Sequence, residues 1–157
     1  MRRRAVHGLI LLLAILGPTA AAAQSVHADL LALINRARAD HGLAALRANG
    51  NLDVAARGHA ADMAVNDFLS HVGSDHRTLG DRVAATGYAF AYVSEALAAG
   101  PRTAAQAVHL WLTSAAHRDL LLSPDAREVG LAAAPAPITS THGTYWAAVF
   151  GRRFGEK

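Results

Sequence analysis

Apolar residues along most of the chain recur every three or four positions, and toward the end they recur every second position. From Ser25, a good N-cap, Val26, Leu30, Leu33, Ile34 and Ala37 keep helical spacing until His41-Gly42 supplies a stop, which predicts a first helix. A second is predicted from about Leu52 to Asn66, with Leu52, Ala55, His59 and Met63 on one stripe. Asp67 to Asp81 is polar and punctuated by glycine, and a short helix is expected from Thr78 to Thr86. Thr103 and Gln106, after Gly100-Pro101, have capping-box spacing and open a helix that carries Ala107, Leu110, Trp111 and Ser114 inward. His117 begins a further helical stretch, ended by Ser123-Pro124. Strand character is found in Tyr92–Ala98, Glu128–Ala134 and Thr144–Arg152, where Tyr145, Ala147 and Val149 alternate with Trp146, Ala148 and Phe150. Helices first and strands last predict an α+β fold with an antiparallel sheet.

The first residues follow a different pattern. Arg2, Arg3 and Arg4 precede an uncharged run from Ala5 to Ala23 whose apolar centre is Leu9 to Leu16, and Ala21 and Ala23 fit the small-residue cleavage pattern. Residues 1–23 therefore read as a signal peptide and 24–157 as one domain, which predicts a secreted or periplasmic protein that touches a membrane only through an uncleaved leader. The formal charge of +3 loses its meaning with the leader, because the three arginines leave with it and basic and acidic side chains then balance. The electrostatic footprint of a nucleic-acid binder is missing. With 157 residues, 52% of them apolar, the chain suffices for one core. The absence of cysteine excludes disulfides, thiolate metal sites and thiol nucleophiles.

Nine histidines are the unusual supply of reactive groups. His27 and His41, at the ends of the first helix, read as solvated, His109 and His142 as surface groups, and His59 as a hydrogen-bonded core histidine. His71, His76 and His117 lie in or beside irregular segments, where sites are usually built. Glu95 stands in an apolar run, so its charge must be either paired or turned to solvent on an edge strand. Glu128 fits a cap on the turn after Pro124, and Ser70, Ser94 and Ser114 read as cap or loop residues. No HExxH, GxSxG, P-loop or GxGxxG is present.

Four segments, LLALINRARADHGLAAL, DMAVNDFLSHVGSD, WLTSAAHRDLLLSPDAREVGLA and YWAAVFG, together resemble the bacterial branch of the CAP superfamily, the cysteine-rich secretory, antigen 5 and pathogenesis-related proteins. The resemblance covers nearly all of 24–157 and implies an α-β-α sandwich with a small antiparallel sheet between helical layers. It also implies a cavity lined by two histidines and two acidic residues. By that resemblance the cavity residues are His71 in Ser70-His71, Glu95 in Ser94-Glu95-Ala96, and His117 ahead of Val129-Gly130, with Ser114 at the position of the second acid. Ser94 and Ala96 replace the usual glycine and asparagine, Ala148 replaces a frequent glutamine, and Asp75 and Glu128 match residues common in bacterial members.

The resemblance implies two kinds of function. The first is a binding module for a small hydrophobic ligand, a lipid or a protein partner. The alternative is a metal-assisted, peptidase-like hydrolase in which His71 and His117 hold a divalent cation such as zinc and Glu95 is the catalytic base that activates water. Two imidazoles and a carboxylate suit zinc, which prefers nitrogen donors where thiolates are lacking.

Overall fold

The computed structural model describes residues 18–156, so the apolar centre of the expected leader, Leu9 to Leu16, lies outside it. Helix α1 covers Pro18–Asp40 and opens seven residues ahead of Ser25. Ala20 to Ala23 are the strongest helix formers and Pro18 suits a first turn, so no signal stops the helix at the expected boundary. Strand β1 is Arg47–Ala48 and α2 is Gly50–Asn66. Asn49 caps α2, its side-chain oxygen accepting the N–H groups of Asn51 at 3.0 Å and Leu52 at 3.3 Å. Helix α3, Leu79–Ala84, opens on a reciprocal capping box between Thr78 and Asp81. Strand β2 is Phe90–Ala99, α4 is Ala104–Thr113, α5 is Ala115–Leu121, β3 is Glu128–Pro135 and β4 is Thr144–Arg153.

The sheet runs β1-β3-β4-β2. Strand β4 pairs antiparallel with both β2 and β3, placing Glu95 and Gly130 on either side of Val149. The expected antiparallel sheet acquires a parallel edge, because Arg47 and Ala48 pair with Glu128 and Val129 in the same direction. Two residues carry no periodicity, so this strand leaves no pattern to read.

Alternation on the strands feeds two cores. On one face Ala96, Val129, Leu131, Trp146 and Phe150 pack with Leu30 and Ile34 of α1, Trp111 of α4 and Leu121 of α5. On the other, Leu97, Ala132, Ala147 and Val149 meet Leu52, Ala56, Ala60 and Met63 of α2 and Val83 of α3. The inward stripe of α4 is Ala104, Ala107, Val108 and Trp111, whereas Leu110 is 45% exposed, a correction to the expected stripe. Trp111 and Trp146 donate their indole N–H groups to the carbonyls of Leu97 and Pro101, at 3.0 and 2.8 Å. Arg38 is fully buried and donates to the carbonyls of Ala44, Leu121 and Ser123, which ties α1 to the end of α5. Helix α2 approaches β3 so closely that a Cβ built on Gly130 would lie 2.0 Å from the carbonyl carbon of Leu52. Alanines on the inner face of α2 and the missing side chain at 130 permit that contact.

Candidate functional site

Alternation on β2 turns Glu95 to the α2/α3 face, where its side chain is 1% exposed. Both carboxylate oxygens are engaged: Oε1 meets Nδ1 of His71 at 2.9 Å, and Oε2 accepts from the Arg82 guanidinium at 2.8 Å. Arg82, set in α3, also donates to the carbonyls of His71 and Arg77, at 3.0 and 3.1 Å. One guanidinium therefore neutralises the buried charge and clamps the loop that carries His71. Of the two readings of Glu95, pairing is the one that holds, since a buried carboxylate without a partner is strongly destabilising.

The core histidine of α2 supports the same loop. Nε2 of His59 lies 2.7 Å from the carbonyl of Ser70, so this nitrogen carries the proton and Nδ1, which has no partner among the described residues, presents its lone pair. Burial pushes the His59 pKa below its ordinary value and keeps the ring neutral. His117 rides on α5, whose Leu121 belongs to the opposite core, and its Nδ1 lies 3.0 Å from the Ser114 hydroxyl. Among the described residues no hydrogen bond or ion pair joins His117 to His71 or Glu95. Asp75 stays within its own loop, accepting the N–H of Arg77 at 3.0 Å and facing its guanidinium at 3.3 Å.

These positions bear on the metal expected from the histidines. A catalytic zinc centre takes three protein donors, and among the described residues no three His, Asp or Glu side chains stand close enough to share an ion. Nδ1 of His71 and both oxygens of Glu95 are already used within the pair and by Arg82. Among the described residues the donor set does not fit a protein-held zinc centre.

Glu128 forms a separate tie on the same face of the sheet, across β4 from Glu95. It accepts from the Asn49 amide at 3.0 Å and the Tyr88 hydroxyl at 2.7 Å and pairs with Arg153 at 3.3 Å, so it holds strand ends together rather than capping the turn after Pro124. Burial, followed by the bond to Glu128, pushes the Tyr88 pKa up.

A further concavity lies away from all of these groups. A cleft of about 730 Å³ separates residues 23–27 of α1 from the first turns of α2 along the outer edge of β3. Val26, Leu131, Ala133, Pro135 and Trp146 give it an apolar wall, and Arg57 and Arg102 stand at it as well. One end is bridged by Nε2 of His27 and Oδ1 of Asp53 at 2.9 Å, the same oxygen accepting the N–H of Leu131 at 2.9 Å. His27 was expected to be solvated. It is instead only 25% exposed, because α1 continues past it and sets it against α2.

The profile of the cysteine-rich secretory protein family, CAP, matches residues 31–150. The chain belongs to the CAP family. Over 103 residues it is 34% identical to the uncharacterized membrane protein YlbC of Bacillus subtilis, covering 66% of this chain and 30% of that one. Over 116 residues it is 27% identical to the uncharacterized protein YkwD of the same organism, covering 72% and 45%. The chain thus spans less than half the length of these relatives. Among solved structures, an extracellular protein containing an SCP domain from Bacillus anthracis superposes with a TM-score of 0.76 at 26% identity, over 88% of this chain and 44% of that one. An outer surface protein of Borrelia burgdorferi shares the fold, with a TM-score of 0.74 at 22% identity over 83% and 94%.

In this CAP domain the sequence reading joined His71 to Glu95 and missed Arg82, His27, Asp53, Arg57 and Arg102. Arg82 had one signal, its place directly after the Asp81 of the Thr78 capping box, which fixes the α3 turn it projects from. His27 and Asp53, 26 residues apart on different helices, had none.

Proposed function

We propose that this CAP domain is a binding module of an exported protein and that its ligand is received in the cleft along β3. The observation that carries the reading is the cleft itself, with a volume of about 730 Å³, an apolar wall and two arginines. Such a site suits a ligand with an apolar body and an anionic group, whether a small hydrophobic molecule, a lipid or a partner. The environment of Glu95 weighs against the hydrolase. A general base needs a free oxygen within reach of water, and this carboxylate is 1% exposed with both oxygens bonded. Export is supported by the leader pattern of residues 1–23 and by the extracellular and outer-surface proteins that share the fold. Among the described residues no helix is long and apolar enough to cross a membrane.

Amide chemical-shift mapping with anilinonaphthalene sulfonate, an apolar anionic probe, tests the site. One saturable site should appear, with shifts confined to His27, Leu131 to Ala134 and Trp146. Shifts centred on His71 and His117, or no saturation, would overturn the assignment. Calorimetric titration with zinc tests the metal separately: tight binding abolished by both His71→Ala and His117→Ala would restore the metal reading.

A further inference from the structure

We propose that the cleft takes an extended, acidic segment of another polypeptide, which joins the sheet as a strand beside β3. The inference rests on the cleft being a binding site and names what fills it. Strand β1 covers only Glu128 and Val129, and beyond them β3 is an outer edge. The N–H of Asn49 reaches the Val129 carbonyl at 3.0 Å and the N–H of Leu131 reaches Asp53 at 2.9 Å, so the odd-numbered residues of β3 turn their backbone groups away from β4. Strand alternation turns the carbonyl of Leu131, both polar groups of Ala133 and the carbonyl of Pro135 the same way. Among the described residues none of these four groups has a hydrogen-bond partner.

An acyl chain lying on this edge would strip water from the four groups and leave them unpaired, which is unfavourable. An extended peptide supplies N–H and C=O groups at the matching spacing and satisfies them, the mode in which a strand adds to a sheet edge. Natural edges are protected by charges, prolines or covering elements. Here the His27–Asp53 bridge closes one end and Pro135 the other, leaving Ala132 to Ala134 between them with side chains too small to block an approaching backbone. At about 3.3 Å per residue, the span from Leu131 to Pro135 accommodates a segment of roughly five residues.

Charge selects the kind of segment. Arg57 and Arg102 line the cleft and form no ion pair among the described residues, and the carboxylate in its wall, Asp53, is already held by His27 and the N–H of Leu131. Carboxylate side chains on the incoming strand would answer the two guanidiniums.

The probe is a blocked hexapeptide of alternating valine and glutamate, titrated against the full chain. Binding should slow hydrogen exchange at the Ala133 amide. Of two analogues N-methylated at alternate residues, one should bind roughly tenfold weaker or worse and the other as well as the parent, because alternate N–H groups of an added strand face away from the sheet. Ala133→Pro, which removes the one donor on this edge without touching the β3–β4 ladder, should weaken the parent peptide by a similar factor. The pair Arg57→Glu and Arg102→Glu should lose the glutamate peptide and gain its lysine counterpart, which keeps the test decisive if the proline variant misfolds. Equal binding of the two methylated analogues overturns the proposal. So does a cleft that binds anilinonaphthalene sulfonate or laurate but no peptide, an outcome that leaves the binding module standing; if none of them binds, both readings fail.

Discussion

Gly130→Ala should be the most damaging glycine-to-alanine change among the described residues. The added Cβ would lie 2.0 Å from the Leu52 carbonyl carbon and 2.3 Å from both the Asp53 nitrogen and the Leu52 oxygen. All three are backbone atoms of the first turn of α2, which no rotamer change can move aside. Restoring an ordinary contact of about 3.5 Å requires the turn to retreat by roughly 1.5 Å. That retreat would stretch the 2.9 Å bond from Leu131 to Asp53 beyond hydrogen-bonding range and pull Leu52, now fully buried, off the sheet. Overpacking costs about 1–3 kcal/mol and a hydrogen bond to a charged acceptor about 1.5–3, so a loss of about 3–5 kcal/mol is expected. For a domain whose stability is of the order of 5–15 kcal/mol, this would leave a small margin. Urea denaturation followed by far-ultraviolet circular dichroism measures it. Gly58→Ala provides the control, because its Cβ would meet nothing within 4 Å on the same helix, and it should stabilise by about 0.5–1 kcal/mol. A Gly130→Ala variant within about 1 kcal/mol of the parent, with unchanged m value, would refute the close approach of α2 to β3.

Three further outcomes follow from buried groups. Arg82→Leu should cost about 3–5 kcal/mol by stranding the Glu95 carboxylate, and the double change Arg82→Leu with Glu95→Leu should recover most of it; additive losses in denaturant melts would disprove the pair. His59 is held neutral, its folded pKa below that of the unfolded chain, so the unfolded state binds the extra proton. Stability is therefore complete above about pH 6.5 and falls as the pH drops below it, by at most about 1.4 kcal/mol per unit, a slope that His59→Gln should remove; parallel profiles for the two proteins between pH 7 and 5 would contradict this. Trp111→Ala should cost about 3–5 kcal/mol, and a loss under about 1 would place the indole outside the core.

Periodicity carried the fold as far as each element was long enough to show one. The stripes of α1 and α2 and the alternation of β4 were legible because every third or second residue meets the same core. The two-residue β1 and the Asn49 cap were not, since neither repeats. On α4 the reading chose Leu110 and Ser114 as companions of Ala107 and Trp111, where the buried companions are Ala104 and Val108. An equally regular stripe ran on either side of Ala107, and only the tertiary contact distinguishes them. At the site, Glu95 and His71 were legible as a costly charge and a loop histidine, and the family resemblance joined them. The cleft was not legible, because its wall is alanine and strand backbone, which carry no chemical signature in a sequence, and its bridge spans helices that the chain order keeps apart.

The sheet order has a bearing on synthesis. Strands β2 and β3 do not pair with each other; each pairs antiparallel with β4 alone, and β4 follows both in the chain. As this sequence is synthesised, neither antiparallel ladder can zip until β4 has emerged, and both helical layers lack the completed sheet until then. The β2–β4 contacts, between strands separated by two helices and β3, form slowly even afterwards. Until β4 emerges the nascent domain is thereby kept without either antiparallel ladder, a state that a channel threading extended polypeptide could use and that a fold with an early local hairpin would not provide.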